Sequence, residues 1–391
     1  VKSLIAKYAG KLHRDRSVLP GRVGIAAQDD VMLSEGAPDL ARLAADVLSR
    51  LSCLGIVAAA PSLPFAGFLL RRADAGAGAI VPLDTETRTF LHDIPIVRRK
   101  ELVGDPARAI AALLSNRKGV IAEGVGIVAS GPVTLEQAYI HYSSVFHAAF
   151  VKYLLDALQA GFVLPGETEA FRSFRETFLQ PLTAEGLRFH AGPLDAPEEI
   201  LAEIRAVGRY TVERGLVDSF FGNISCRVGD TIYISQTAAS LDELAGCIDP
   251  VPMDNRSTTG ITASSELLAH RRIYEATGAR AILHGHPKFA VAMSMLCDVK
   301  DCPVTDCWKD CTRVRMLGDT PVVAGEIGAG GLASRVPPVI GGAGKAIVYG
   351  HGVFSIGRGG FEEAFRSMVD VENRCREEYF RRFDSRMRLT P

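Results

Sequence analysis

No stretch of this sequence approaches the ~20 consecutive apolar residues that a membrane-spanning helix requires. Its start, VKSLIAKYAGKLHRDR, lacks the apolar core of a secretory signal; basic and amphipathic, it reads as a surface helix with a faint likeness to a transit peptide. A cytoplasmic location is therefore expected. Net charge is nearly absent as well: 44 Lys and Arg against 45 Asp and Glu leave a formal −1. That balance offers no basic footprint for nucleic acid and no polybasic anchor for a membrane, although a local patch around a phosphate site stays compatible with it. Eight cysteines are too few to staple a chain of 391 residues. Cys297, Cys302, Cys307 and Cys311 nevertheless crowd into MLCDVKDCPVTDCWKDC. Their spacing, C-x4-C-x4-C-x3-C, fits neither a zinc ribbon nor the bacterial ferredoxin run. The four read as reduced thiols lining a loop, with a second metal or iron–sulfur site as the alternative. Two glycine-rich segments also fall short. GGAGKA at Gly341–Ala346 lacks the Ser or Thr that a P-loop has after its Lys, and GAGGLA has no acidic partner placed for a dinucleotide.

What is present is an ordinary soluble composition, 47% hydrophobic and 23% charged, with length for about two domains. Its most informative residues are three histidines and one glutamate: His284 and His286 in ILHGHP, His351 in YGHGVF, and Glu266 in SSELLAH. AILHGHP reads as a strand ending in His-x-His, and strand side chains alternate, so both imidazoles face one side. His351 lies between Gly350 and Gly352 after the apolar run Ala346–Tyr349, capping a second strand with room beside the backbone. Three imidazoles with an open position are the ligand pattern of a catalytic zinc or similar divalent ion. Glu266 is then a spare carboxylate.

The chain also repeats itself. GVGIVASGPVTLEQAY (Gly124–Tyr139) aligns without gaps with GHGVFSIGRGGFEEAF (Gly350–Phe365), and each copy runs on into a long helical pattern. This register sets Val125 opposite His351. A second match, AGAIVPLD beside ARAILHGH, sets Pro82 opposite His284 and Asp84 opposite His286; extended upstream it sets Pro64 opposite Glu266. On this reading the first copy has lost the metal ligands. The glycine, proline and acidic helix start in HAGPLDAPEE place the boundary between Gly192 and Pro197, giving domains 1–194 and 195–391. In the second, a helix over about Glu198–Arg214, a strand pair through FGNISCRVGDTIYISQT, a helix from Glu266, the His-pair strand, the His351 strand and a final helix over about Phe361–Phe383 predict an α/β layered domain.

In order along the chain, GNISCR, SQTAAS, SSE, HGH and GHG resemble the class II aldolase/adducin family of zinc-dependent sugar-phosphate aldolases. The resemblance covers essentially all of the C-terminal half, and through the repeat it extends in degenerate form to the N-terminal half. It implies an αβα sandwich with a central, mainly antiparallel sheet in each of two tandem copies. It further implies a Zn2+ or other divalent ion on His284, His286 and His351, with Glu266 as acid/base. Gly222, Asn223, Thr237, Ser264 and Ser265 match the substrate phosphate pocket. From the residues alone, Ser264 and Ser265 read as an N-cap, and a helix start is an anion site. The sequence departs from the family pattern at two points: Ala238 stands where a glycine usually follows the pocket Thr, and the cysteine-rich segment has no tyrosine to act as proton donor.

The activity so implied is aldolase-type carbon–carbon cleavage of a small, phosphorylated ketose through a metal-stabilised enediolate. Dehydratases, epimerases and decarboxylases of the same family are the alternatives, as is a non-catalytic adducin-like scaffold. The partners expected are a small-molecule substrate and further copies of the chain, but neither nucleic acid nor membrane. Since family sites lie between neighbouring subunits of a ring, two tandem chains would form a pseudo-tetramer. The first copy would then supply the missing proton donor, with Tyr139, His141 and Tyr142 as candidates.

Overall fold

The computed structural model describes residues 1–62, 65–74, 76–192, 194–218, 221–254, 256, 261–325 and 329–388. By its contacts the chain divides into two compact units, Val1–Gln180 and Pro181–Pro391. That break comes earlier than the expected 194/195. Leu182 exchanges backbone hydrogen bonds of 2.7 and 2.9 Å with the Asn373 side chain, His190 N donates to Glu203, and Phe189 packs edge-on against Tyr210. The segment after Gln180 is thus tied to the second unit, and the Gly/Pro signals near Gly192 mark a loop within it.

The first unit runs α1 (Lys2–Arg14), β1 (Val18–Gln28), β2 (Met32–Gly36), α2 (Pro38–Leu48), β3 (Gly55–Pro61) and α3 (Phe65–Arg72). It continues through β4 (Ala79–Ile80), α4 (Thr85–Leu91), β5 (Ile94–Val97), α5 (Pro106–Leu114), β6 (Gly119–Ala122), β7 (Gly126–Gly131), α6 (Leu135–Ala160) and α7 (Glu167–Thr177). The sheet order is β2-β1-β3-β7-β6-β5-β4. Neighbours are antiparallel except β5 and β6, which are parallel. Interior strands such as GIVAAAP are apolar almost throughout, because helices cover both faces and leave no wet side. Thr134 caps α6 by accepting from Gln137 N, and Gly161 ends it.

The second unit runs α8 (Pro197–Glu213), β8 (Asn223–Val228), β9 (Thr231–Ser235), β10 (Ile248–Pro252), α9 (Leu267–Thr277), β11 (Ala281–Gly285) and α10 (Lys288–Ser294). It closes with α11 (Cys307–Asp310), β12 (Arg315–Leu317), β13 (Thr320–Val323), α12 (Ala329–Arg335), α13 (Pro337–Ala343), β14 (Lys345–Val348), β15 (Gly352–Gly357) and α14 (Phe361–Arg388). Its sheet order is β10-β9-β8-β11-β15-β14-β13-β12, with β13 and β14 the parallel pair. Without β10, this is the first sheet strand for strand. The core joins Ile282, Phe354 and Ile356 on the sheet to Ala269, Ile273 and Tyr274 on α9, while α14 packs against β15 and β11. Both units are therefore mixed α/β sandwiches with a mainly antiparallel sheet. Among the described residues no helix is long and apolar enough to cross a membrane.

The Gly124–Gly350 register holds in three dimensions: β7 and β15, and the starts of α6 and α14, stand at matching positions. The AGAIVPLD register does not. Ala79–Ile80 form the two-residue edge strand β4, whereas β11 is an interior strand whose counterpart is β3. An apolar β-branched run can serve as any strand; only its hydrogen-bonded neighbours identify it. In the ladders, Ala58 pairs with Val128 as His284 pairs with Phe354. Ala58, Ala60 and Val125 therefore stand where the second unit has His284, His286 and His351. Asp84, set opposite His286 by the sequence register, is instead the N-cap of α4. Pro64 lies outside the described residues, and the residue that precedes α2 as Glu266 precedes α9 is Ala37.

Candidate metal centre

The backbone brings the three histidines together from two adjacent strands and a turn. His284 is on β11, His286 lies one residue past its end, and His351 is in the tight turn from β14 to β15. β11 pairs with β15, which closes the distance that the sequence leaves open. The turn is fixed by Gly350 N donating to the Ser294 hydroxyl at 2.8 Å. Gly352 has to be glycine: a Cβ there would lie 2.4 Å from Gly285 O and 2.7 Å from the His286 ring. Phe354 stacks on His284 with ring centroids 4.1 Å apart, and Phe221 stacks on His286 at 5.5 Å, so two of the rings are held by aromatic walls.

All three imidazoles are buried, and their candidate ligand atoms lie within 4.8 Å of one another. Nε2 of His284 is 3.0 Å from Nε2 of His286 and 3.1 Å from Nε2 of His351. Nδ1 of His284 faces the Val353 carbonyl at 3.0 Å. A carbonyl only accepts, so Nδ1 carries the proton and the Nε2 lone pair points into the cluster. A tetrahedral site with metal–nitrogen bonds of about 2.0–2.1 Å has nitrogen–nitrogen edges of about 3.3 Å. The two separations from His284 Nε2, 3.0 and 3.1 Å, lie close to that edge, and nitrogen donors suit zinc and its transition-metal neighbours.

Glu266 completes the cluster. As N-cap residue of α9 it is buried, with Oε1 3.3 Å from His351 Nε2 and Oε2 3.5 Å from His284 Nε2. Burial alone would raise its pKa, but positive charge at His284 and His351, from a ring proton or a bound cation, together with the Asn223 amide outweighs it and holds the carboxyl well below the usual range.

The remaining candidates surround this point, with one correction. Asn223 is tied to the carboxylate: its Nδ2 donates to Glu266 Oε2 at 2.8 Å, and its Oδ1 meets His270 Nε2 at 2.5 Å. Ser264 and Ser265 are not the N-cap of α9, which is Glu266 without a side-chain cap; the Ser264 hydroxyl instead accepts from Glu266 N at 3.3 Å. Ser265 and Thr237 are exposed. The end of β9 is stitched to their segment by Thr237 N to Thr262 O and Ser264 N to Ser235 O. Gly222 has φ +89, and a Cβ there would meet His284 O at 2.6 Å. Ala238 adopts φ +60, so the position keeps a glycine-like backbone without a glycine.

The proposed donors of the first unit are taken up by its own packing. Tyr139 donates to Asp15 and Tyr142 to Ser17 O, while His141 Nδ1 faces Ser130 O; all three are buried. The cysteines are free thiols, and among the described residues the only cluster able to hold a metal is the histidine one. Sequence reasoning passed over Ser225, His270 and Tyr274. Their signal was an N-x-S on a strand and an E-x3-H-x3-Y on a helix.

The sequence profile described as the Class II Aldolase and Adducin N-terminal domain matches residues 202–379. The C-terminal unit belongs to the class II aldolase and adducin family. A curated relative, from Nocardia farcinica (strain IFM 10152), is described as a probable bifunctional methylthioribose-1-phosphate isomerase/methylthioribulose-1-phosphate dehydratase. It is 33% identical over 98 residues, which is 24% of this chain and 18% of that protein, so the likeness spans under a fifth of the relative. Among solved structures, an L-fuculose-1-phosphate aldolase from Thermus thermophilus is 25% identical with a TM-score of 0.40 over 48% of this chain and 96% of its own. A sugar-phosphate aldolase from Thermotoga maritima is 18% identical with a TM-score of 0.36, over 47% and 94%. The histidine cluster and Glu266 both lie within the matched residues.

Proposed function

We propose that the C-terminal unit is a divalent-metal-dependent lyase acting on a small, phosphorylated ketose. The observation that carries this reading is the Glu266 carboxylate, buried 3.3–3.5 Å from two of three convergent imidazole nitrogens. When bound, a divalent ion supplies Lewis acidity to a substrate carbonyl or hydroxyl oxygen. His284, His286 and His351 would hold it. Glu266 then takes the proton from the substrate hydroxyl as the neighbouring carbon–carbon bond breaks, releasing an aldehyde, and returns it to the carbon left electron-rich. The hydroxyls of Thr237, Ser264 and Ser265, with the backbone at Gly222, would receive the phosphate.

A second reading is dehydration, in which Glu266 takes a proton from the carbon next to the carbonyl and the β-hydroxyl leaves as water. It is favoured by the Nocardia relative, described as an isomerase/dehydratase, and by the lack of tyrosine from Cys297 to Gly325. The deciding experiment incubates the zinc-loaded protein with a panel of ketose phosphates, following dihydroxyacetone phosphate and loss of water in parallel. A released triose phosphate establishes the aldolase, and a dehydrated diketone establishes the dehydratase. Stoichiometric metal with neither product across the panel would refute both and leave the scaffold reading.

A further inference from the structure

Behind Glu266 runs a line of buried polar side chains that the reaction as described does not use. Asn223 and Ser225 lie on β8, and His270 and Tyr274 lie on α9, four and eight residues after Glu266. Two residues of strand advance about 6.8 Å and four residues of helix about 6.0 Å, so the two series stay in step and interdigitate. Their relative exposures are 5%, 0%, 0% and 1%, in the order Asn223, Ser225, His270, Tyr274; water therefore cannot supply the partners, and each group must satisfy the next.

The contacts admit one direction. Glu266 Oε2 accepts from Asn223 Nδ2 at 2.8 Å. That turns Asn223 Oδ1, a pure acceptor, toward His270 Nε2 at 2.5 Å, so Nε2 bears a hydrogen. Burial pushes the His270 pKa down to about 3, so the ring is neutral and Nδ1 is bare. Nδ1 must accept from the Ser225 hydroxyl at 2.6 Å, which leaves Ser225 Oγ to accept from the Tyr274 hydroxyl at 2.7 Å. A flipped Asn223 would set its carbonyl oxygen against the carboxylate, two acceptors face to face.

The first unit supplies an independent observation. Through the ladders, Gly24 and Ala26 of β1 stand where the second unit has Asn223 and Ser225. Ala37, Ala41 and Ala45, counted from the α2 N-cap, stand where it has Glu266, His270 and Tyr274. All five polar groups are present together in one unit and replaced together by Gly and Ala in the other. There the helix closes onto the strand, so that a Cβ on Gly24 would lie 2.2 Å from the α2 backbone. The sandwich thus packs without the chain, and the chain accompanies the histidine cluster.

We propose that Tyr274, Ser225 and His270 form a one-way hydrogen-bond chain that holds the Asn223 amide with its N–H toward Glu266, making them positioning residues for the proton-carrying carboxylate. The inference rests on Glu266 being that carrier, but its direction is testable without any substrate. In zinc-loaded, full-length protein labelled with 15N, the His270 ring, assigned by its loss in His270→Gln, shows a protonated Nε2 and a bare Nδ1. The opposite tautomer would overturn the chain whatever the activity of the protein, which separates its failure from failure of the lyase reading. Ser225→Ala, which removes the donor to Nδ1, shifts His270 toward the other tautomer and lowers kcat about tenfold, with KM within about twofold and bound zinc unchanged. Tyr274→Phe, an isosteric change that tests the same direction if Ser225→Ala misfolds, lowers kcat about threefold. His270→Gln, which keeps an N–H toward Asn223, recovers most of the rate lost in His270→Leu. An unmoved tautomer and unchanged kcat in Ser225→Ala and Tyr274→Phe would overturn the proposal.

Discussion

The two halves of this chain present one sheet order with two contents. In the second, β11 and the β14–β15 turn carry His284, His286 and His351; in the first, the same places hold Ala58, Ala60 and Val125. The first unit's core runs through the position that matches His284: Ala58 is fully buried in a cluster with Ala26, Ile56, Val97 and Val128. The sandwich therefore does not need the imidazoles. Burying five polar groups and three histidines costs the second unit free energy that alanine avoids in the first.

The sharpest way to break the comparison is to give the second unit the first unit's residue. His284→Ala strips the ion and abolishes turnover, since two protein imidazoles hold a divalent metal weakly, and metal analysis beside an activity assay checks both. Full turnover without metal would end the assignment. Glu266→Gln keeps the ion and loses about 10² to 10⁴ in kcat, as expected for an acid/base residue. Loss of the ion as well would make Glu266 a ligand instead.

The reverse exchange is smaller. Ala58→His drives a ring into a filled apolar cluster and destabilises the protein by about 1–3 kcal/mol in chemical unfolding, with no gain of metal. Acid sharpens the contrast between the buried imidazoles of the two units. Burial holds His141 of the first unit down to about 4 against an ordinary 6.5. The folded ring stays neutral while the unfolded chain takes up a proton, so this stability is complete above about pH 6.5 and is lost as pH falls toward about 4. It is worth about 1–3 kcal/mol, and His141→Gln flattens that window in unfolding curves recorded against pH. The smallest effect is expected at Ala238: Ala238→Gly relieves a left-handed alanine and raises stability by up to about 1 kcal/mol, the added freedom of glycine in the unfolded chain offsetting part of the gain.

Much of the site was legible from local chemistry. Strand alternation set His284 and His286 on one side, and the glycines around His351 announced a close approach: a Cβ on Gly352 would lie 2.4 Å from Gly285 O. The helices expected over Glu198–Arg214, from Glu266 and from Phe361, and the strands around Asn223, His284 and His351, fell close to their expected places, because their caps and periodicities are local signals. The domain boundary was misplaced because the Gly/Pro-rich loop near Gly192 looks like a linker, while the contacts that claim the segment, such as Leu182 with Asn373, join residues far apart in sequence. The AGAIVPLD register failed for a related reason: apolar similarity does not say which strand lies beside which.

By itself the sequence determined the α/β class and singled out the three histidines and the carboxylate that the structure brings together, because residue type and spacing of two, three or four positions carry that information through backbone periodicity. Only the tertiary structure decided the rest. It chose β3 as the counterpart of β11, joined Asn223 to Glu266, and took Tyr139, His141 and Tyr142 for the packing of the first unit. It also aligned Ser225, His270 and Tyr274 behind the carboxylate. Each of these depends on which buried donor meets which acceptor across strands and helices distant in the chain, and burial makes that pairing obligatory while leaving no trace of it in local pattern.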